Sequence, residues 1–126
     1  MRKIVLLSLL SLMLTACVTT HPSQNLTVRM SPAQASELQQ GEHYFDTGFY
    51  KHAMETLLPL ACDGIPDAQY AVGYMYYYGY GVSQDTEVGK FWIARSANKG
   101  YEPAKIALNQ ITSGNPVKTR SYKTQF

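Results

Sequence analysis

Ala68-Gln69-Tyr70-Ala71-Val72-Gly73 opens a stretch that runs on through Tyr76, Gly79, Gly81-Val82, Asp85, Trp92, Ala97 and Gly100. The small residues recur at helical spacing and larger ones stand between them. Parts of the stretch are copied on either side. A shift of 36 positions aligns Ala61 with Ala97, Gly64 with Gly100, Ala68 with Ala104 and Ala71 with Ala107. A shift of 32 aligns Gly41 with Gly73 and Tyr44 with Tyr76. The two shifts differ by four, so the second unit carries a four-residue insertion. Periods of this size mark helical repeat arrays, in which a unit buries its apolar face only by stacking on the next.

Working outward, the spacing predicts five helices over about 32–46, 49–62, 66–78, 84–98 and 102–112. Ser31 is placed to cap the first, with Pro32 at its first helical position. Lys99-Gly100 ends the fourth. Ala61, Ala68, Gly73, Ala97 and Ala104 are small enough to let helix axes approach closely. Leu57, Leu60, Val72, Tyr76, Trp92 and Ile93 are the expected fillers between them. Two residues strain the pattern. Pro59 removes a backbone donor inside the second helix, where a kink or loosened turn is expected. Gly89 costs the fourth helix roughly 1 kcal/mol against Ala.

The residues from Ala68 to Gly100 resemble one full Sel-one-like repeat, a relative of the tetratricopeptide repeat. Residues 41–64 resemble a shorter, tetratricopeptide-like unit, and the fifth helix starts a third that caps the stack. The resemblance extends over about 80 residues. Ala is usual in the family where this chain has Gly89 and Ser96. Ala61, Gly64, Ala68, Gly73, Tyr76, Gly79, Gly81, Trp92, Ala97, Gly100 and Ala104 take the structural positions. The implied fold is all-α, a short right-handed solenoid of antiparallel helix pairs that presents a groove to partner proteins. The first helix of each pair lines that groove. Position by position, this assigns Leu38, Glu42, Phe45 and Asp46 from the first helix, and Ile106 and Gln110 from the fifth.

Tyr70, Tyr74, Tyr77 and Tyr78 fall near one face of the third helix and complete the expected partner-binding surface. Exposed aromatics suit binding because they bring large area with few rotors. The other reading is that Tyr70 and one of Tyr77 or Tyr78 pack between helices.

Other motifs reduce to structure. Gly79, Gly81 and Asp85 lack the Lys-Ser/Thr that follows a phosphate loop. The glycines suit positive backbone angles in a long turn, and Asp85 suits a helix N-cap. His43 and His52 with Glu42, Asp46 and Glu55 include no HExxH arrangement, so no metal and no cofactor is expected. No strand-turn-helix nucleophile elbow is visible, and no catalytic residue is assigned. The cysteine-rich branch of the Sel-one-like family, linked to β-lactam binding, pairs cysteines across each repeat, and this chain lacks those pairs.

The two ends have different compositions. Arg2 and Lys3 precede an apolar run over 4–14, too short for a hydrocarbon core of roughly 30 Å that needs about 20 residues. Its length suits a secretory signal. Leu14-Thr15-Ala16-Cys17 then resembles the lipobox of bacterial lipoproteins. The resemblance implies a signal over 1–16, cleavage before Cys17, and acylation of Cys17 with palmitate-type chains, where two or three chains hold stably and one does not. Val18, rather than Asp, follows and implies the outer membrane, facing the periplasm.

Residues 17–31 read as a tether, 32–112 as the repeat domain and 113–126 as a basic tail. The chain carries 11 basic and 9 acidic side chains. Without Arg2 and Lys3 the balance is even, which disfavours nucleic acid as a partner. Lys118, Arg120 and Lys123 put the basic excess in the tail, so 17–112 is net acidic. If Cys17 is acylated, Cys62 has no disulfide partner within the chain and is expected to be a small buried residue. The sum is a membrane-anchored adaptor or assembly factor that holds a protein or peptide. An envelope regulator is the alternative, and a β-lactam- or cell-wall-acting hydrolase a remoter one.

Overall fold

The computed structural model describes residues 29–114. The expected signal, Cys17, the tether up to residue 28 and the tail from residue 115 lie outside the described residues. The described residues form five helices: α1 (Pro32–Asp46), α2 (Tyr50–Cys62), α3 (Pro66–Tyr78), α4 (Thr86–Asn98) and α5 (Glu102–Thr112). No strand occurs among them. Each helix packs mainly on its neighbours in sequence, which is the arrangement of a short all-α repeat solenoid.

Local chemistry sets the boundaries. Ser31 and Gln34 form a reciprocal capping box at the start of α1. Gly79 adopts φ +76° at the end of α3, the left-handed conformation that closes a helix without steric cost. Asp85 caps α4 by accepting from the backbone N–H groups of Glu87 and Val88. This cap starts α4 at Thr86, two residues later than the spacing predicts, because Gln84 and Asp85 belong to the turn. Pro59 sits inside α2, which continues to Cys62. The Pro59 side lies at the surface, where water can serve the carbonyl that loses its donor.

The core follows the small-residue pattern. Ala53, Leu57, Ala61, Ala68, Val72, Met75, Ile93 and Ala104 are buried, and Trp92 is nearly so. Buried polar groups tie the layers together. Ser96 donates to the Pro66 carbonyl at 2.7 Å, joining α4 to the start of α3. Gln69 Nε2 donates to the Ala61 carbonyl at 3.1 Å, one of the terminal carbonyls that α2 cannot satisfy itself. Lys99 Nζ reaches the Gly64 carbonyl at 2.6 Å. Ser96 therefore ties α4 to the start of α3.

Cys62 corrects an expectation. It is disulfide-bonded and only partly buried, where a small buried thiol was expected. The reading from sequence took the Cys17 sulfur as consumed by acylation. One sulfur cannot be both a thioether and half of a disulfide, and Cys17 is the only other cysteine of the sequence, so acylation of Cys17 and this disulfide are alternative states of the chain.

Candidate functional site

Tyr70, Tyr74 and Tyr78 stand at i, i+4 and i+8 on α3, a spacing that places them above one another on one face. Their rings are the middle of a longer series. Tyr101, the N-cap residue of α5, lies 5.7 Å from Tyr70. Tyr70 is 6.3 Å from Tyr74, which is 4.7 Å from Tyr78 and 6.0 Å from Tyr80. Phe45 of α1 meets Tyr74 edge-on at 6.0 Å. Tyr80 lies 4.7 Å from Tyr50 at the start of α2.

These separations lie within the range aromatic pairs favour, where each contributes about 0.5–1.5 kcal/mol beyond its buried area. The rings thus form a stiff wall running from α5 across α3 to α1. The turn between α3 and α4 is pressed against this wall. A Cβ on Gly81 would lie 2.6 Å from the Tyr50 carbonyl, so only glycine allows the approach that sets Tyr80 on Tyr50.

Carboxylates gather at the Tyr101 end. Glu42 on α1 is pushed up to about 7 by burial, then by the charges of Asp67 on α3 and Asp46 on its own helix. Asp67 lies beside the Tyr101 hydroxyl. That hydroxyl's ionisation is pushed well above the ordinary range by burial, then by Asp67 and Glu42. The Tyr74 hydroxyl is raised by burial first and then by neighbouring phenols, and Tyr78 is raised in the same way. At neutral pH the phenols keep their protons. Ring faces carry negative quadrupole charge, so a wall of them beside Glu42, Asp46 and Asp67 suits a cationic or amide-rich ligand.

The expected surface changes in detail. Leu38, Phe45, Tyr70 and Tyr74 are buried; Tyr70 and Tyr74 keep only 1% and 3% of their area exposed. An open stripe through these four is therefore corrected. The helices α1, α3 and α5 lie close enough for the rings to fill the space between them. Glu42, Tyr77, Tyr78 and Gln110 are partly exposed, and Asp46 and Ile106 are exposed. Tyr77 stands at the border of the series, 5.1 Å from Tyr78, with its carbonyl accepting from Gln84. α5 joins the wall through Tyr101, while Ile106 and Gln110 lie further along the helix.

Asp67, Tyr50, Tyr80 and Tyr101 are the members that sequence reasoning missed. A signal existed for two of them. Asp67 precedes Tyr70 by three positions and so shares its face. The 36-residue shift pairs Tyr101 with Ile65, a buried N-cap residue in the preceding unit.

Residues 66–101 match the family model of the Sel1 repeat. Chitin synthase regulatory factor 3 of Schizosaccharomyces pombe is 33% identical over 90 residues, a match covering 61% of this chain and 10% of that protein. The chain thus spans about a tenth of the length of that curated relative. No solved structure matches the chain. The matched family span begins at the first residue of α3 and ends at the N-cap of α5. The hairpin of α3 and α4, with the turn between them, is the part of this chain that is similar to a Sel1 repeat.

Proposed function

We propose that this chain is a lipid-anchored adaptor that holds a partner protein or peptide on the tyrosine wall between α1, α3 and α5. The observation that carries the reading is the unbroken ring series from Tyr101 to Phe45 with carboxylates at one end. Rigid aromatics lose little entropy on contact, and the carboxylates orient what they hold. Tyr78, Tyr80, Tyr101, Glu42, Asp46 and Asp67 are the contacting edge. Leu38, Phe45, Tyr70 and Tyr74 back it, and Tyr77, Ile106 and Gln110 extend its rim. The regulatory name of the yeast relative favours a second version, in which the partner is an enzyme whose activity binding adjusts.

The anchor is Cys17, left by cleavage after Ala16 as the acylated first residue, and it holds the domain at the outer membrane, facing the periplasm. The support is the order basic start, short apolar run and Leu14-Thr15-Ala16-Cys17. Among the described residues no helix is long and apolar enough to cross a membrane. Cys17 and Cys62 are the only cysteines of the sequence, so a disulfide between them is the state of Cys17 that competes with acylation.

The test is fractionation and intact mass. The wild-type chain should leave the membrane only with detergent and carry thioether-linked lipid on Cys17. Cys17→Ser should remain unprocessed or appear in the soluble periplasmic fraction. A lipid-free wild-type chain with Cys17 and Cys62 bridged would overturn the anchor. Tyr78→Ala and Tyr101→Ala, at matched envelope levels, should lose the partner that the wild type retains.

A further inference from the structure

The outer face of α4 carries a second aromatic group, separate from the wall. Gly89 and Ile93 turn toward Gly73 of α3. At about 100° per residue, Phe91 and Arg95 stand on the opposite side of the helix. Phe91 is 54% exposed, and its ring meets the nearly buried Trp92 edge-on at 5.6 Å. The Arg95 guanidinium lies 5.5 Å from the Phe91 ring centre and 5.3 Å from that of Trp92. A guanidinium held over rings is weakly hydrated and keeps its N–H edges for an anion. Charge on this face is positive. Lys90 and Glu87 neutralise each other at 2.8 Å. Arg95 and Lys99 remain, one helical turn apart, and no carboxylate pairs with either among the described residues. The Lys99 ammonium donates to a neutral carbonyl, that of Gly64. Burial first, and then Arg95, pulls the Lys99 pKa below the ordinary lysine value.

Size and composition say what covers such a face. A stable protein interface buries about 1,200–2,000 Å² and has charge depleted from its centre. Here one phenylalanine and the edge of a tryptophan share their face with Glu87, Lys90, Arg95 and Asn98. An aromatic ring flanked by cations is instead the composition that settles at the boundary of a phospholipid layer. The ring lies among glycerol and acyl groups, and the cations reach back to the phosphates.

We propose that the outer face of α4, through Phe91, Trp92, Arg95 and Lys99, rests on the phospholipid surface to which the chain is anchored and leaves the tyrosine wall free for a partner. The inference rests on the anchor reading. An anchor holds the domain at high local concentration beside the lipid. A contact too weak to recruit a free chain is then enough to orient a tethered one.

Trp92 is the only tryptophan of the chain, so its fluorescence reports this face alone. The test places the full chain, as isolated from cells, in vesicles of phosphatidylethanolamine and phosphatidylglycerol whose acyl chains carry bromine near the headgroup. Bromine quenches tryptophan by contact. For each variant, emission is compared with that in the same vesicles without bromine. The wild-type chain should lose emission, while Phe91→Glu and Arg95→Glu should stay attached and lose little. Without phosphatidylglycerol the wild-type loss should shrink, since each cation beside an anionic lipid surface is worth about a fivefold preference. An attached wild-type chain with unquenched Trp92, or equal quenching in Phe91→Glu, overturns the proposal. A protein adduct from a photoreactive residue at Phe91 overturns it too, because the face then belongs to a protein. If the wild-type chain does not attach at all, the anchor reading falls, and excess vesicles added to the free chain test the face by itself. Quenching that Phe91→Glu abolishes then upholds the face, and absence of quenching overturns it.

Discussion

Gly73 and Gly89 face each other across the contact between α3 and α4. A Cβ on Gly73 would lie 2.9 Å from the Gly89 carbonyl oxygen, and one on Gly89 would lie 2.8 Å from the Gly73 carbonyl oxygen. Both contacts are to backbone, which cannot move aside without moving a helix. The pair therefore fixes how closely the two helices of the repeat can approach, and that approach sets the position of α3 and its tyrosines. Gly89 is weak by helix propensity and necessary by packing.

Gly89→Ala separates these two effects. Helix propensity alone favours Ala by about 1 kcal/mol, while overpacking typically costs about 1–3 kcal/mol. A Cβ here would also lie 2.7 Å from the Tyr77 amide nitrogen. Thermal unfolding should show a lower Tm for Gly89→Ala, and lower again when Gly73→Ala is added. A raised Tm would mean that the close approach is not what holds α3 on α4.

Burial at Tyr74 makes it a packing residue. Trp92→Ala and Tyr74→Ala should both destabilise strongly, by about 3–5 kcal/mol, the usual scale for truncating a buried aromatic. Tyr78→Ala should cost clearly less, since Tyr78 is partly exposed. Urea unfolding of the three variants checks the order. If Tyr74→Ala costs no more than Tyr78→Ala, the wall is looser than described.

Glu42 gives the domain a pH dependence opposite to that of a salt-bridged carboxylate. Its folded value is raised from the ordinary 4.5 to about 7. Between these values the folded state holds a proton that the unfolded state releases, so this group's contribution to stability is fully present below about 4.5 and lost as pH rises to about 7. Glu42→Gln keeps the shape and removes the titration. Unfolding midpoints at pH 5, 6, 7 and 8 should fall more steeply for the wild type than for Glu42→Gln between pH 5 and 7, with a constant difference above that. Parallel curves would show that Glu42 does not carry the effect.

The helices were legible because their signals are local. Ser31, Pro32, Pro66, Asp85 and Gly100 mark ends, and small residues at fixed offsets mark contacts. The two shifted alignments exposed the repeat because solenoid packing reuses the same small positions. The wall was legible only in part. Helical spacing finds Tyr70, Tyr74 and Tyr78, but cannot say that Phe45 of α1 and Tyr101 of α5 come close enough to bury two of them. Tyr80 escaped because its place depends on a turn held by Gly81 against Tyr50, a contact 31 positions apart in sequence. The Cys62 disulfide was not legible because it depends on the state of Cys17, which the sequence leaves open between acylation and pairing.

The central claim is that partners are held on the wall of α1, α3 and α5. Photocrosslinking in living cells tests it most directly, with a photoreactive aromatic placed at Tyr78 or Tyr101 on the wall and at Phe91 on α4. Phe91 is the control because it is 54% exposed and lies beside Arg95 and Trp92, away from the ring series. The account predicts a discrete adduct of one partner from Tyr78 and Tyr101 and none from Phe91. The same adduct arising from Phe91 alone would contradict it.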